Sequence, residues 1–260
     1  MEKLHELTLT SGQQAQAIKV HTFTEIPTTL KRLGLERSRP VLVIVGGANG
    51  ITDDYMHCLS ELFTEKIAPL VEKLGAAVID GGTDAGVMSL IGQARAKIKG
   101  TFPLIGVAAL GTIKFPLSPP TVQAAPPEPN HTHFVLVPGN DWGAECEWIA
   151  EVATILSDNY PSVTILVNGG KIAFQDVTES IEAERPVLVV AGSGRTADIL
   201  ASALQGESLD QQAQKLAASG LLKAVDPTYN AYKLVRILSD LLNFKSEDIE
   251  TCKEHLKVLV

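Results

Sequence analysis

The chain has 260 residues, of which 45% are hydrophobic and 20% are charged. This composition is typical of a globular protein with a substantial core, and it excludes a chain that is disordered along its length. The 22 Lys and Arg residues against 30 Asp and Glu residues give a net charge of -8, which excludes the basic surface of a nucleic-acid-binding protein. An acidic protein can still bind a small anion, because helix N-termini supply local positive potential.

The cysteines and the apolar runs indicate where the protein resides. Cys58, Cys146 and Cys252 have no CxxC spacing, which favours a reducing compartment over a disulfide framework. The N-terminal segment lacks the long apolar core of a signal peptide, and no apolar run is long enough to cross a bilayer. We therefore expect a cytoplasmic protein that binds neither membranes nor nucleic acids.

Residues 1–39 are predicted to form an addition to the main domain. Leu4–Thr10 and Ala17–Thr22 flank the pair Ser11-Gly12, which is typical of a turn between two strands. The pattern therefore predicts an N-terminal β-hairpin.

Residues 40–205 alternate short apolar runs with segments of helical periodicity. Continuous apolar runs rich in β-branched residues are typical of strands buried on both faces. The alternation predicts an α/β, Rossmann-like, open and mostly parallel sheet with helices on both faces. Pro69 lies inside the first long helical pattern and is expected to kink or split that helix. The predicted strands are Val41–Val45, Ala76–Ile79, Leu104–Ala108, His133–Val137, Val163–Val167 and Val187–Val190.

Two further segments are distinguished by composition. Residues 206–260 follow a helical pattern and predict C-terminal helices that pack on the core. Leu117–Asn130 is rich in proline and joins two predicted strands. Long loops in compact domains usually have a function, so we expect this loop to border a ligand site.

Glycines are concentrated directly after the predicted strands. In an open α/β sheet, ligands bind at the carboxyl ends of strands, where glycine permits close approach of the backbone. A single glycine turn is a common connection without a function, but several on one edge predict a ligand site. The glycines that follow strands are Gly46, Gly47, Gly81, Gly82, Gly139, Gly169, Gly170, Gly192 and Gly194.

The segment Asp80–Met88 joins a strand, a glycine turn and the start of a helix. Thr83 or Asp84 is expected to cap that helix, whose N-terminus would then favour a phosphate. The spacing is neither the GxGxxG of a dinucleotide fold nor a P-loop. The segment therefore predicts a generic phosphate site.

The segment Pro138–Glu145 also joins a strand to a helix. Glu145 is predicted to accept a hydrogen bond from a ribose hydroxyl or to act as a general base. A plain capping carboxylate at the helix N-terminus explains the same pattern.

The segment Gly192–Asp198 starts another helix. Ser193 is expected to cap it, and Arg195 is a candidate partner for a phosphate because its guanidinium forms two parallel hydrogen bonds. An exposed arginine without a ligand is the alternative.

The histidines give no metal prediction. His131 and His133 would share a strand face, but no third ligand is evident, so loop and edge positions are favoured.

In sequence order, these motifs resemble the SLOG superfamily from about Pro40 to Ala203. The stretch Asn130–Val137, with Asn-His-Thr-His-Phe, is similar to NHxHFxLVD of the LSDAT branch, the SLOG domain of TRPM channels and its free-standing prokaryotic relatives. Gly192–Asp198 resembles GSGRxAD of that branch. Gly81–Ala94 and Pro138–Glu145 resemble, more distantly, the glycine motifs of the LOG (lysine-decarboxylase-like) proteins.

The resemblance implies a domain that binds a nucleotide derivative, with ADP-ribose, NAD or an AMP-like molecule expected and no required cofactor. LOG hydrolases have an arginine upstream of their glycine motif, whereas residues 116–137 contain no Arg or Lys. This difference favours a binding or sensing protein over a nucleotide hydrolase that uses Glu145, and both remain open. A homo-oligomer and a protein effector are expected as partners. The predicted ligand-binding residues are Gly46, Gly47, Asn49, Gly81, Gly82, Thr83, Asp84, Gly86, His133, Gly139, Gly143, Glu145, Gly169, Gly170, Gly192, Ser193, Gly194 and Arg195.

Overall fold

A computed structural model describes residues 2–47, 49–115, 124–243 and 249–259 of the chain. Within these residues, nine strands form a single sheet. The strands are β1 (His5–Thr8), β2 (Gln14–Lys19), β3 (Val41–Gly46), β4 (Ala77–Asp80), β5 (Leu104–Ala109), β6 (His133–Val137), β7 (Ser162–Val167), β8 (Val187–Val190) and β9 (Leu222–Val225). Their order in the sheet is β1-β2-β6-β5-β4-β3-β7-β8-β9, and the pairs are parallel except for β1 with β2.

Helices cover both faces of the sheet, as predicted. They are α1 (Ile26–Arg32), α2 (Asp53–Leu62), α3 (Ala68–Leu74), α4 (Gly86–Ile98), α5 (Cys146–Ser157), α6 (Lys171–Glu182), α7 (Arg195–Leu204), α8 (Gln211–Ala217), α9 (Pro227–Asn243) and α10 (Ile249–Val258). One core lies between the sheet and α1, α5, α6, α7 and α8, and a second between the sheet and α2, α3, α4, α9 and α10. A third, smaller cluster packs β2, β5 and β6 against Ile113 and Phe115. None of the helices in the described part of the chain has the length and apolarity that a membrane span requires.

The six strands predicted from apolar runs are confirmed. In β3, Val41 and Val43 pack into one core while Leu42 and Ile44 pack into the other. Because successive side chains of a strand point to opposite faces, a strand that is covered on both sides has no polar position. This is why continuous apolar runs predicted these strands.

The expected effect of Pro69 is also confirmed. Helix α2 ends at Leu62, a π-helical turn covers Phe63–Ile67, and α3 begins at Ala68. The backbone stays helical through this turn, so Pro69, which has no N–H to donate, is accommodated by a change of helix type directly before it.

The two ends of the chain add more to the sheet than the sequence predicted. The N-terminal hairpin is present, but β2 also pairs in parallel with β6, so the hairpin extends the main sheet. The C-terminal region contains the expected helices and, in addition, strand β9, which pairs with β8. Strand β9 gave no apolar run because Lys223 lies at one of its half-buried positions.

Part of the proline-rich loop lies outside the described residues. Of the predicted loop Leu117–Asn130, the structure describes residues 124–130. There the Asp84 N–H donates to the Pro126 carbonyl and the Glu128 N–H donates to the Gly82 carbonyl. The described end of the loop therefore lies beside the glycine turn that follows β4.

Candidate functional site

A pocket of about 380 Å³ opens at the carboxyl edge of the sheet, at the ends of β3 and β4 and at the starts of α6 and α7. Strand β4 pairs with one edge of β3, and the later strand β7 pairs with the other edge of β3. Such a reversal of strand order leaves a crevice in which open α/β sheets bind ligands. The predicted residues that line this pocket are Gly46, Gly47, Asn49, Gly81, Thr83, Glu145, Gly170 and Arg195.

Other predicted residues support the turns around the pocket without lining it. They are Gly82, Asp84, Gly86, Gly139, Gly143, Gly169, Gly192, Ser193 and Gly194. At Gly82 the structure requires glycine for packing, because φ is 68° and a Cβ there would lie 2.8 Å from the Gly106 Cα. Glycine at this position thus permits the close packing of the turn on β5.

The structure places His133 away from the pocket. It lies at the first residue of β6, in a groove that Glu6, Gln16 and Thr132 also line. Burial lowers the pKa of His133 to about 4. Strand β6 runs toward the carboxyl edge of the sheet, so its last residue, Val137, lies at that edge and its first residue, His133, lies at the opposite edge.

Thr83 combines burial with an unused hydroxyl. The residue is 1% exposed, and its Oγ1 has no hydrogen-bond partner in the described protein. It lies on the pocket wall, between the Gly81 turn and the end of the proline-rich loop. The expectation that Thr83 or Asp84 caps α4 is wrong, because Ala85 precedes the helix and no side chain caps it. A buried hydroxyl without a partner is costly, so this atom is suited to bond a ligand.

The turns after β7 and β8 are joined by Asn168 and Ser193. The Ser193 hydroxyl accepts a hydrogen bond from the Asn168 N–H at 2.7 Å and donates to the Val190 carbonyl at 2.5 Å. The Asn168 side chain donates to the Ser193 carbonyl at 2.6 Å. The expectation that Ser193 caps α7 is therefore wrong, and Gly194 occupies the capping position. Sequence analysis did not identify Asn168, whose φ of 55° is a sign of a specialised turn.

Arg195 lies across the N-terminus of α6. Its φ is 53°, and a guanidinium nitrogen lies 2.9 Å from where a Cβ on Gly170 would be. Gly170 is the N-cap of α6, and Lys171 begins that helix on the wall of the pocket. The missing side chain at Gly170 thus brings the guanidinium close to the helix N-terminus, and both favour an anion.

Two carboxyls line the pocket near these cations. Glu145 is 8% exposed, and both of its oxygens lie 3.1 Å from the Gly143 N–H. Burial raises the pKa of Glu145. Asp176 on α6 is partly buried, and desolvation raises its pKa to about 7 with a further contribution from Glu145. Sequence analysis missed Asp176, although its spacing from the buried Ala173 and Val177 places it at the edge of the apolar stripe of α6.

A second group of charges lies behind the Gly81 turn. The ring of His131 bonds Asp80 through Nε2 at 2.9 Å and Glu128 through Nδ1 at 2.7 Å, and all three side chains are buried. Burial opposes the charge on His131, but attraction to Asp80 and Glu128 outweighs it and raises the pKa to about 9. We call Asp80, Glu128 and His131 the closed cluster. His131 lies in the loop before β6, as expected, but its ring is fully buried, and nothing in the local sequence pairs it with Asp80.

Comparisons with known proteins agree on one family. A family model described as SLOG in TRPM, prokaryote, matches residues 39–235. A transient receptor potential cation channel subfamily M member-like 2 of Nematostella vectensis is 26% identical over 245 residues, covering 78% of this chain and 15% of the relative. Member 2 of the same subfamily from Mus musculus is 24% identical over 204 residues, covering 65% of this chain and 13% of the relative.

The matched region agrees with the architecture described above. Residues 39–235 contain the parallel strands β3 to β9 and every residue that lines the pocket. The chain spans only about a seventh of the length of the curated relatives that it matches, 15% and 13% for these two. The chain belongs to the prokaryotic family of SLOG domains of the TRPM type.

Proposed function

We propose that the pocket binds a nucleotide-type small molecule, of which ADP-ribose, NAD and AMP are the expected forms, and that the protein acts as a ligand sensor. The observation that carries this proposal is the convergence of separate turns on one pocket, at the reversal point of the strand order. The buried, unpartnered Thr83 hydroxyl on its wall supports a polar ligand. The volume of about 380 Å³ is in the range of small-molecule sites.

The walls of the pocket differ in chemistry, which suits the parts of a nucleotide. Lys171, Arg195 and the N-terminus of α6 provide positive potential for a phosphate. Trp142 and Ile172, which are 38% and 37% exposed, give an apolar wall for a base. Since the overall net charge is -8, this local positive potential is needed to attract an anion.

A sensor needs an output, and we propose that it comes from contacts with a protein effector or with other copies of the chain. Ligand binding changes those contacts only if the ligand has different affinities for the two states of the protein. The turns at 168–170 and 192–195 are suited to transmit such a change, because Asn168 joins them and α6 and α7 begin there.

A nucleotide hydrolase is the second candidate. It is favoured by the position of Glu145, a buried carboxyl with a raised pKa on the pocket wall, which suits a general acid or base. In this case Glu145→Gln would abolish product formation while ligand binding is retained.

Calorimetric titration of the full chain with ADP-ribose, NAD and AMP tests the proposal. We expect at least one of them to bind below millimolar, and Arg195→Ala to weaken binding by about 1–3 kcal/mol through the lost charge-assisted contact. The matched control is Arg37→Ala, which removes the same charge from an exposed site away from the pocket and should leave binding unchanged. The proposal fails if none of the three ligands binds the parent protein below millimolar, or if both variants weaken binding equally.

A further inference from the structure

Asp176 holds an unusual position in the proposed ligand site. It lies on α6, about one turn after Ile172 and Ala173, which line the same pocket at the start of that helix. The Asp176 side chain and the N-terminus of α6 therefore lie on the wall of one pocket, more than one helical turn apart along α6. An ionised carboxylate in this place would repel a phosphate, whereas a carboxylic acid would donate a hydrogen bond to it.

The surroundings of Asp176 favour the neutral acid. The negative charges of Glu145, directly before α5, and of Glu179, on its own helix, disfavour a charge on Asp176, while the nearby Cys146 thiol acts in the opposite direction. The packed strands β3, β7 and β8 contain no ionisable residue. Helix α8 carries only the exposed Lys215, and α7 carries Asp198 and brings Arg195 to the pocket. Lys171, at the start of α6, lines the same pocket.

Within the described ranges of the chain, no salt bridge stabilises a charge on this carboxyl. Among the residues that the structure describes, neither Asp176 nor Glu145 forms a salt bridge with a lysine, an arginine or a histidine. Burial and the neighbouring Glu145 both raise the pKa of Asp176, to about 7. Asp176 therefore keeps its proton to a higher pH than an ordinary aspartate does.

We propose that Asp176 is a specificity-determining residue that recognises the ligand as a neutral carboxylic acid. Its hydroxyl donates a hydrogen bond to an anionic phosphate oxygen, so that binding is coupled to the uptake of one proton from solvent. The inference rests on the proposed function, because it requires an anionic ligand in this pocket. Under this proposal, Asp176 takes up a proton when the ligand binds, which explains why an acidic side chain lines an anion site.

The test measures binding of ADP-ribose to the full chain at pH values of about 6 and about 8. The disubstituted diphosphate of this ligand has no group that titrates near neutrality, so a pH dependence comes from the protein. If only the protonated form of Asp176 binds, the dissociation constant is about tenfold larger at the higher pH. The calorimetric enthalpy in buffers of different ionisation enthalpy should then report an uptake of about one proton per ligand at the higher pH.

Asp176→Asn replaces the acid by a neutral group of the same shape. We expect the ratio of the two dissociation constants to fall from about ten to about one, and the proton uptake to disappear. Glu182→Gln is the matched control, since it removes an exposed carboxyl from the end of the same helix outside the pocket and should retain the pH dependence. Thermal unfolding of each variant verifies that it is folded under the conditions of the titration.

Each outcome of the test is decisive. Binding with the same strength at both pH values, or a pH dependence that persists in Asp176→Asn, overturns the role of Asp176 while the proposed function stands. Loss of the pH dependence in Glu145→Gln alone assigns the proton to Glu145 and likewise overturns it. Absence of binding at both pH values overturns the proposed function and the inference with it.

Discussion

Two groups of carboxyls lie near the Gly81 turn, and they differ in whether a charged side chain contacts them. In the closed cluster, Asp80 and Glu128 both bond the His131 ring, so two buried carboxyls share one imidazolium. At the pocket, Glu145 and Asp176 have no such partner in the described structure, and burial raises the pKa of each. Removing one member of a buried ion pair destabilises a fold because it leaves an uncompensated charge, whereas a titratable group without a charged partner in a pocket is typical of a functional site.

The carboxyls of the closed cluster also accept hydrogen bonds from residues close to them in the chain. Asp80 accepts from the Gly82 N–H at 2.7 Å, and Glu128 accepts from the backbone and the side chain of Asn130, both at 2.8 Å. Gly92 on α4 makes room for this carboxylate, since a Cβ there would lie 2.0 Å from it. The closed cluster therefore holds the end of the proline-rich loop against α4 and the glycine turn.

The largest expected effect is the loss of the cation from the closed cluster. In His131→Gln, two buried carboxylates lose their charged partner, and we expect the free energy of unfolding to fall by about 3–5 kcal/mol. Denaturant unfolding measures this. The control is His57→Gln, which breaks an exposed contact with Glu61 at 3.3 Å and should change stability little. Equal effects of the two substitutions would show that the closed cluster is not a stabilising feature.

The pH dependence of stability should separate the two groups. The pKa of His131 is raised from 6.5 to about 9, so its stabilising proton is fully bound in the folded state below pH 6.5 and is lost as the pH rises through 9. We expect unfolding free energy to fall by on the order of 3 kcal/mol across this window, and His131→Gln to remove that fall.

Asp176 should affect the stability of the protein in a lower pH range than His131 does. Its pKa is raised from 3.8 to about 7, so the folded state keeps a proton that the unfolded state has released. The stability associated with this proton is present below pH 3.8 and is lost as the pH rises through 7. Asp176→Asn should flatten the lower window and leave the upper one, and urea unfolding at a series of pH values measures both. If each substitution changes both windows alike, the two groups are coupled and the comparison fails.

Packing at the turn predicts the next effect. Gly82→Ala and Gly12→Ala both place an alanine at positive φ, 68° and 89°, but only at Gly82 does the new Cβ meet backbone, at 2.8 Å. We expect Gly82→Ala to cost about 1–3 kcal/mol more than Gly12→Ala, because the turn must move away from β5. Chemical denaturation of the pair checks this. A difference near zero would mean that the turn yields easily, and that Gly82 does not fix the wall of the pocket.

The smallest effect distinguishes a ligand-binding hydroxyl from a structural one. Thr83→Val removes a buried hydroxyl that has no partner, so we expect unchanged or slightly raised stability and a loss of about 1 kcal/mol in ligand affinity. The control is Thr112→Val, whose hydroxyl donates to the Ala109 carbonyl at 3.0 Å and should lower stability without changing affinity. Lower stability without lower affinity in Thr83→Val would exclude it from the site.

The sequence predicted the strands and the edge of the sheet better than the members of the site. Apolar runs such as Val41–Val45 reflect burial on both faces, which is a local property of the chain. Whether a glycine faces a ligand or a neighbouring strand is decided by tertiary packing, so the sequence could not separate Gly81, on the pocket wall, from Gly82, against β5.

The misplaced residues have equally specific causes. The distance between Asp80 and His131 along the chain hides their contact, which arises because the loop folds back across the end of β4. Asp176 was missed because a carboxylate on a helix is usually solvated, and only the packing of α5 on α6 brings it beside Glu145. Strand β9 was missed because its short pattern is not apolar throughout.

The most direct test of the account is a crystal structure of the protein grown with ADP-ribose. The account predicts the ligand in the pocket between β3, α5 and α6, with its diphosphate at the N-terminus of α6 within hydrogen-bond distance of Arg195. Thr83 and Asp176 should each lie within hydrogen-bond distance of a polar ligand atom. A ligand bound elsewhere, such as in the groove beside His133, would contradict the assignment of the site.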